Sequence, residues 1–582
     1  MEFWTTFFDG VTEWFDTFGG GIAAPVCTVL RFVFPLLSLL ILVRCARSLL
    51  RFRNEPETWA LLVLPGGKAL PVTHWENLIG RKKSCDLVID FPTVSRSHAV
   101  LTRYDDGSWS IRDVGSKGGV VVNGQEVPSC EVRYGDRISL GGVEVELVPF
   151  TAEQEQRQAS IRTRAGATIR PGVTLLLLTL LQILAAVQLC LSCGEAALIL
   201  GAFAALMGLE WALFLVQRAM HRTGYDVETI AFYLTTIGMA IGASDDPSGL
   251  PKMVLTIAMG LTAFLVIGWA LRDLERAKKI RYLAAAGGIA LLALNLLFGT
   301  EQYGAKNWIY IGSMSFQPSE LVKICFVFVG ASTLDRIVAR RNVALFLVYT
   351  GVVCGALALM NDFGTAVIFF CAFLVIAFLR SGNFASLALI CAGVAFAGAL
   401  ALRFRPYALA RFAAWRHVWE NALSSGYQQT RAMMCIASGG LFGLGLGNGW
   451  LKYVAASDTD LVFAFVGEEW GLLVAVMMVL AVACLGAFTV KSASTGRSSF
   501  YTIGACAAMC ILMVQAILNV FGTVDFLPLT GVTFPFVSNG GSSMISAWGL
   551  LAFIKAADTR QNASFAVRLS GQTRVTAEED AA

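Results

Sequence analysis

Apolar and polar positions divide the chain into three regimes. The first is an apolar run from roughly Ile22 to Val43, long enough for the ~20 residues that cross a hydrocarbon core. It exceeds a signal-peptide core, contains Arg31 and follows an acidic, aromatic start, so it reads as an uncleaved anchor. Arg44, Arg47, Arg51 and Arg53 follow at once, which predicts a cytoplasmic end there and an outside N-terminus. The second regime, Asn54 to Phe150, consists of short β-type runs broken by Gly, Pro, Asn and Asp. Strands are expected at 61–63, 86–89, 99–102, 109–112, 120–122, 137–140 and 143–148, making a soluble all-β unit of sandwich length. A polar stretch from Thr151 to Arg170 follows, with Arg157, Arg162, Arg164 and Arg170 and no acid after Glu155, which keeps the β unit on the cytoplasmic side.

The third regime is a succession of apolar segments near 172–191, 195–216, 228–243, 253–271, 282–298, 319–334, 343–360, 365–379, 384–402, 461–490, 500–521 and 543–557. Alternating sides from the basic linker places Arg218–Arg222, Arg272–Arg281, Asp335–Arg341, Arg380, Lys491–Arg497 and Lys555–Arg560 inside, as the positive-inside rule requires. No long internal repeat supports an inverted-repeat transporter. The expected fold class is a polytopic all-α membrane protein of about 13 transmembrane helices, with a cytoplasmic all-β sandwich inserted after the first helix. The expected organisation is an anchor over 1–53, the β domain over 54–150, a basic linker over 151–170, the polytopic domain over 171–557 and a cytoplasmic tail over 558–582.

Composition sharpens this. Of 582 residues 56% are hydrophobic and only 15% charged, and mean hydropathy is +0.64. Soluble domains carry about 25% charge, so a mostly soluble enzyme, a disordered scaffold and a nucleic-acid-binding chain are excluded. The net charge of +4 says nothing about partners. Most of the 14 cysteines, such as Cys190, Cys325, Cys354, Cys371 and Cys510, lie in apolar runs and read as small hydrophobes. His74, His98, His221 and His417 match no metal-ligand spacing. One outer loop, 403–460, departs from the charge rule with Arg403, Arg405, Arg411, Arg416, Arg431 and Lys452. Two readings stay open for it: a long translocated loop whose charges do not set topology, or a basic surface for an anionic lipid head group.

Within the β unit the order Gly80–Arg81, Ser95–Arg96–Ser97–His98, Asp113–Val114–Gly115–Ser116, Asn123–Gly124 and Gly135–Asp136 resembles a forkhead-associated (FHA) domain over residues 60–148. The resemblance implies a sandwich whose loops bind phosphothreonine on a cytoplasmic protein, with Arg81 and Ser95 at phosphate-contacting positions and His98 ordering the loops. A guanidinium fork and a hydroxyl are the donors a phosphate dianion needs. Arg96 and Lys117 add charge beside them. The family's usual Asn-Gly-Thr reads Gly118–Gly119–Val120 here, so a docking module without phospho-selectivity is the alternative.

In the apolar region five outer-face motifs occur in order. They are Asn307–Trp308–Ile309 with Phe316–Gln317–Pro318–Ser319–Glu320 and Lys323; Asn361–Asp362–Phe363–Gly364–Thr365; Gly426–Tyr427–Gln428; Thr459–Asp460 with Gly467–Glu468–Glu469; and Leu527–Gly531 with Pro535–Ser543. Together these resemble the SEDS family of shape, elongation, division and sporulation proteins, the FtsW/RodA/SpoVE group, over residues 283–554. The family implies a peptidoglycan glycosyltransferase of the bacterial plasma membrane. It polymerises lipid II, an undecaprenyl-pyrophosphate-linked disaccharide peptide, alongside a class B penicillin-binding protein.

Asp362 matches the family's essential aspartate. A carboxylate at the outer interface either deprotonates the acceptor sugar 4-hydroxyl or holds a divalent cation (Mg or Mn) on the pyrophosphate, and it also suits a helix N-cap. Glu320 and Lys323, three apart on a helix, form a pair that is structural or, as the family implies, lines the cavity. Glu468 and Glu469, expected to begin a span after Asp460, line the same cavity or complement a helix N-terminus. Tyr427, Gln428 and Arg431 lie in the basic loop, and Ser542 and Ser543 open the last span as anion donors or caps. The glycine run Gly439–Gly449 lacks the Gly-Lys-Ser/Thr ending and faces outward, so a nucleotide loop is excluded. Arg431–Ala432, Asn361 and Asn539 stand where the family commonly has Gln-Ser, Pro and Tyr. Two other classes stay open: a flippase for the lipid-linked precursor, and an inactive membrane scaffold recruited through the β domain.

Overall fold

The structure, a computed structural model, describes residues 2–51, 58–151, 153, 170–333, 340–381, 388, 390–393, 395, 414–560 and 563–564, apart from 84, 105–106, 223, 273, 303 and 313. Most of the span expected at 384–402, the linker arginines Arg157, Arg162 and Arg164, the loop arginines Arg403, Arg405 and Arg411, and most of the expected tail lie outside the described residues.

The chain opens with a long helix, α1 (Glu2–Leu50), whose apolar part is Ala24–Leu50. Leu30, Phe34, Leu37, Ile41, Cys45 and Leu49 recur at three- and four-residue spacing and are buried, while Phe32, Leu36, Leu39 and Leu40 point outward. That is a helix with one face on protein and the other suited to lipid.

Next come eleven strands: β1 (Ala60–Val63), β2 (Ala69–Val72), β3 (Glu76–Gly80), β4 (Leu87–Val88), β5 (Ala99–Arg103), β6 (Trp109–Asp113), β7 (Val120–Val122), β8 (Gln125–Glu126), β9 (Ser129–Val132), β10 (Arg137–Leu140) and β11 (Val143–Pro149). They form two sheets, ordered β2-β1-β11-β10-β7-β8 and β4-β3-β5-β6-β9. Alternation decides the faces: Val143, Val145 and Leu147 of β11 enter the core while Glu144 and Glu146 face out. Leu62, Ile79, Leu101, Trp109, Ile111, Ile138 and Leu140 complete that core. β7 and β8 pair with Val122 opposite Gln125, leaving a two-residue loop whose Asn123 and Gly124 have φ of 51° and 86°. Positive φ at both central positions is the hairpin geometry that an Asn-Gly pair favours.

The helical domain comprises α2 (Pro171–Cys193), α3 (Ala196–Ala219), α4 (Asp226–Asp245), α5 (Leu250–Leu271), α6 (Leu274–Phe298), α7 (Pro318–Thr333), α8 (Arg340–Leu359), α9 (Phe363–Ser381), α10 (Tyr427–Gly439), α11 (Val462–Glu469), α12 (Leu472–Ala493), α13 (Ser499–Thr523) and α14 (Gly541–Ala556). Among the described residues, eight helices are long and apolar enough to cross a membrane, and Ala344–Leu359 and Phe363–Leu379 are shorter apolar helices. α4 is buried along its whole length and touches α1, α2, α3, α5, α11 and α12, so it is the axis of the bundle. A small sheet of β12 (Thr300–Gln302), β13 (Ala305–Ile311) and β14 (Met314–Phe316) joins α6 to α7.

The apolar stretch 461–490, expected to be one span, is two helices. α11 ends at Glu469, and the chain turns through Gly471 at φ 90° before α12. A left-handed conformation of this kind is open to glycine without steric penalty.

At one end of the bundle the buried charges neutralise one another. Arg560 binds Asp226 at 2.8 Å and Asp558 at 2.7 Å, Lys555 binds Glu228 at 3.0 Å, and Ser48 donates to Asp226 at 2.7 Å. Arg497 donates to the Asp558 carbonyl at 3.0 Å. Unpaired, these charges would be costly to bury. The sandwich docks at this same end. The Trp75 amide donates to the Arg497 carbonyl at 2.6 Å, Ser499 donates to Glu76 at 3.2 Å, and the Trp75 ring stands edge-on to Tyr501 at 5.8 Å.

Candidate active site

α8 ends at Leu359, Asn361 takes a left-handed φ of 60°, and Asp362 immediately precedes α9. Asp362 Oδ1 accepts the Thr365 amide at 3.1 Å, the N-cap bond of α9. The other oxygen is turned elsewhere. Oδ2 accepts the side-chain amides of Gln317 at 3.3 Å and Asn307 at 3.5 Å. One oxygen of the carboxylate thus caps the helix and the other faces two side-chain amides. Asp362 is 8% exposed, and among the described residues its polar partners are neutral amides.

Those amides come from β13 and from the residue before α7. Gln317 is fixed through its main chain: its N–H donates to Ser542 Oγ at 3.2 Å and its carbonyl accepts the Glu320 amide at 3.2 Å. Ser542 thus reaches Asp362 through one intervening residue. Ser543 exchanges a hydrogen bond with Thr533 at 2.7 Å, and α14 begins after Gly540 without a side-chain cap. One turn into α7, Lys323 and Glu320 form a buried ion pair at 2.6 Å. The Glu320 carbonyl accepts Ser546 Oγ at 2.9 Å, tying α7 to α14.

A second block gathers Glu468, Glu469, Tyr427, Gln428 and Arg431. Glu468 accepts the amides of Trp450 and Leu451, each at 2.9 Å. Glu469 accepts the Gly449 amide at 3.1 Å and Ser244 Oγ at 2.5 Å. The expectation that these glutamates complement a helix N-terminus is corrected: they sit at the C-terminal end of α11 and hold the 449–451 turn. α11 lies outside the eight spans, and burial pushes the Glu469 carboxyl up to about 7 against the hydrogen bonds it receives. Gln428 donates to the Ala455 carbonyl at 2.9 Å, and the Arg431 guanidinium lies 5.2 Å over the Tyr427 ring. Asp460 stands between the blocks. Its carbonyl accepts the Asn519 amide at 3.0 Å, and Asn519 also holds the Val532 carbonyl at 2.8 Å. Among the described residues no group of three or more His, Cys, Asp or Glu side chains could hold a metal ion.

In the sandwich the loop residues converge. The Arg81 amide donates to the Ser95 carbonyl at 3.0 Å, and Ser95 Oγ accepts the Lys117 amide at 3.0 Å. Arg96 has an exposed-side position in the same loop, its carbonyl accepting Lys82 N–H at 3.2 Å. His98 is fully buried and joins two loops, accepting the Ser95 amide at 3.1 Å and bonding the Gly119 carbonyl at 2.9 Å. At Gly118 a Cβ would meet Gly141 Cα at 2.7 Å, so the turn has closed where the usual asparagine would stand.

A family model described as "Cell cycle protein", FTSW_RODA_SPOVE, matches residues 243–563, more than half of the chain. The chain belongs to the FtsW/RodA/SpoVE family. An FHA-domain model matches residues 77–141. The chain is similar to the peptidoglycan glycosyltransferase RodA of Mycobacterium tuberculosis (strain ATCC 25618 / H37Rv), 30% identical over 346 residues that cover 55% of this chain and 72% of RodA. It is 33% identical over 378 residues to the probable peptidoglycan glycosyltransferase FtsW of Tolumonas auensis, covering 60% of this chain and 96% of FtsW. A solved chain from a peptidoglycan synthase complex is 25% identical, covers 57% of this chain and 96% of its own, and superposes with a TM-score of 0.49.

As a member of this family with eight described spans, the protein is a multi-pass plasma-membrane protein. Gln317 and Asn307 stand within the first motif, but both are uncharged and nothing in the sequence alone marks either as a site residue; their side chains' common target, Asp362, lies 45 and 55 residues further along the chain.

Proposed function

We propose that this protein polymerises lipid II into glycan strands at the outer face of the plasma membrane, with Asp362 as the general base. The observation that carries the reading is the Asp362 carboxylate at a helix junction, with one oxygen in the α9 cap and the other facing two amides. The acceptor sugar's 4-hydroxyl oxygen forms the new bond to the donor's anomeric carbon, and its proton passes to Asp362 Oδ2. The bond from that carbon to the pyrophosphate oxygen breaks with its electron pair, and undecaprenyl pyrophosphate leaves. No nucleotide is required, because the pyrophosphate is already the leaving group. No all-protein metal set of three or more His, Cys, Asp or Glu side chains exists among the described residues, so a divalent cation would have to be carried on the substrate's pyrophosphate with one carboxylate beside it.

The family supports a class B penicillin-binding protein as the partner that cross-links the product. Tyr427, Gln428, Arg431, Asp460, Glu468 and Glu469 are assigned to supporting the outer surface over which the glycan passes, and Glu320, Lys323, Ser542 and Ser543 to the wall beside Asp362. The FHA domain is assigned to a threonine-phosphorylated cytoplasmic protein through Arg81, Ser95, Arg96 and Lys117. This orientation is supported by the gathering of Lys491, Arg497, Lys555 and Arg560 at the end where the sandwich docks, as the positive-inside rule requires. In this reading the N-terminus lies outside and the C-terminus inside.

The test is strand formation from added lipid II by the purified chain with class B partners, resolved as a ladder on a gel. Asp362→Asn is expected to abolish the ladder while leaving the protein folded. An unchanged ladder would refute the role of Asp362. No ladder from wild type with any partner would favour a flippase or scaffold instead.

A further inference from the structure

Strand β3 begins beside Trp75 and Glu76, where the sandwich is docked on the helices, and ends at Gly80, where the loops carrying Arg81 to His98 open. Those loops and the 113–119 loop present five exposed cations: Arg81, Lys82, Lys83, Arg96 and Lys117. The Arg81 guanidinium also donates to the Pro92 carbonyl at 3.3 Å, tying two of the loops together. Of the acids nearby, Asp86 and Asp113 are turned onto the Leu78 and Ser116 amides at 2.8 and 3.0 Å, and Asp90 is the other. The end of the sandwich away from the helices is therefore a basic surface built around Arg81 and Ser95.

The root of the C-terminal tail lies at the docked end. Past α14 the Asp558 and Thr559 carbonyls accept the Arg497 guanidinium at 3.0 and 3.4 Å. Arg222 donates to the Ser564 carbonyl, and the Ser564 hydroxyl turns back to the Ala556 carbonyl. Arg497 is the same residue whose carbonyl accepts the Trp75 amide. The tail thus leaves the helices beside the sandwich, and its remainder, 565–582, lies outside the described residues. In that remainder Thr576 is followed by Glu578, Glu579 and Asp580.

We propose that the phosphothreonine site of the sandwich is filled by the chain's own tail, phosphorylated at Thr576. The inference rests on the sandwich binding phosphothreonine, and names its partner. A threonine kinase supplies the group: the Thr576 oxygen takes the γ-phosphoryl of ATP, its proton is released and ADP leaves. Ser564 and Thr576 are twelve residues apart, a reach of up to about 40 Å. Trp75 and Arg81 are six apart, about 20 Å of strand. The rest of the reach covers the step from Ser564 to Trp75, which one arginine side chain, that of Arg497, bridges with its hydrogen bonds.

Charge and tether single out Thr576 among the threonines of the linker and tail. Its acids complement the five cations, and a phosphate adds close to two more negative charges. Thr163 stands between Arg162 and Arg164, and Thr573 precedes Arg574. Thr168 is three residues before the start of α2, too short a tether to reach the far end of the sandwich. Thr151 also precedes acids, but it follows β11, whose Pro149 pairs with Ala60 at the docked end. A bound tail makes any second phosphoprotein a competitor for the same loops.

The test reads the anisotropy of a labelled peptide, residues 568–582 phosphorylated at Thr576, against the full-length chain carrying Thr576→Ala. Binding is expected to be at least about tenfold tighter than for the unphosphorylated peptide, and to weaken about tenfold or more in Arg81→Ala. A phosphorylated peptide with Glu578→Gln, Glu579→Gln and Asp580→Asn should bind several-fold more weakly. Ligating the phosphorylated peptide onto the chain in place of its own tail makes it an internal competitor. It is then expected to weaken uptake of added peptide about tenfold or more, equally at every protein concentration.

Equal binding of the phosphorylated and unphosphorylated peptides overturns the inference. So does a ligated chain that takes up added peptide as readily as the unligated one. Competition that grows with protein concentration would assign the tail to a second copy and overturn the internal tether. Should Arg81→Ala fail to fold, the peptide comparisons on the unaltered sandwich still decide. A degenerate library of phosphothreonine peptides separates this inference from its premise. Capture of library members without the tail peptide sinks the tail alone, whereas capture of none sinks phosphothreonine binding by the sandwich.

Discussion

Trp75 belongs to the sandwich by sequence but to the helical domain by packing. It is 5% exposed and joins the large apolar core of the helices, whereas the sandwich core of Leu62, Ile79, Trp109 and Ile138 closes without it. Its ring faces Tyr501 of α13 edge-on at 5.8 Å and Trp59 at 6.2 Å. Replacing it by alanine should therefore act on docking and leave the sandwich folded. Truncating a buried aromatic costs about 3–5 kcal/mol. The lower figure applies here, because the main-chain bond from residue 75 to the Arg497 carbonyl and the Ser499–Glu76 bond survive the substitution. At ~1.4 kcal/mol per tenfold, about 3 kcal/mol lowers the ratio of docked to undocked domain by about two orders of magnitude.

Hydrogen exchange read by mass spectrometry resolves this. In Trp75→Ala, peptides covering 73–77 and 494–501 should exchange faster, while the paired strands β5 and β6 keep their protection. Unchanged exchange at 494–501 would refute the docking argument. Loss of protection throughout β5 and β6 would show instead that Trp75 holds the sandwich together.

Two further outcomes are expected in the β domain. Asp136 accepts the Arg133 amide at 2.7 Å and the Asn123 side chain at 2.9 Å, and these bonds hold its carboxyl below the usual range. A depressed carboxylate stabilises the fold above its unfolded value of about 3.9 and loses that contribution as pH falls through its lowered one. Asp136→Asn should thus lower the stability of the sandwich by about 1 kcal/mol at neutral pH, discounted for its partial exposure, with the difference from wild type vanishing as pH falls through the lowered value of the folded carboxyl. Thermal melts across pH check it; a difference that grows in acid would contradict the sign. At Gly118 the usual asparagine should not restore anything, because its Cβ would press on the Gly141 backbone. Gly118→Asn is expected to destabilise the domain by about 1–3 kcal/mol, without tightening phosphothreonine-peptide binding in calorimetry.

Much of the fold is legible in the sequence because two periodicities are strong in it. The alternation of Val143, Val145 and Leu147 with glutamates marks β11, and Asn123–Gly124 marks a hairpin turn, before any coordinates are known. Four strands of the sandwich are not expected from the sequence. β2 contains Pro71, β8 is two exposed polar residues, β9 has one fully buried position, Val132, and β3 buries four of its five residues, Glu76 and Asn77 among them, so it shows no apolar–polar alternation. The small sheet at 300–316 is paired by main-chain bonds between short mixed-polarity runs, which periodicity does not register. The break between α11 and α12 is hidden for the opposite reason: Trp470 and the apolar residues around it continue the hydropathy of a span, and one glycine at positive φ makes the turn.

The candidate site shows where single-chain reading stops. Asp362 could be singled out because an ionisable residue beside two apolar helices is costly enough to need a reason. The glutamates at 468 and 469 attracted notice on the same ground, and their partners Gly449, Trp450, Leu451 and Ser244 show a carboxylate's other use, as the acceptor for a turn's otherwise unpaired amides. Cost alone does not separate these uses; the partners do. The turn glutamates spend three of their four oxygens on main-chain amides and a serine, whereas Asp362 gives only one oxygen to the backbone and presents the other to two amide side chains. Gln317 is uncharged and inexpensive to bury, yet it stands where the starts of α7, α14 and α9 meet through a backbone amide, a serine and a carboxylate. A neutral residue becomes interpretable only when its main chain is seen to be fixed and its side chain is seen to have a charged target.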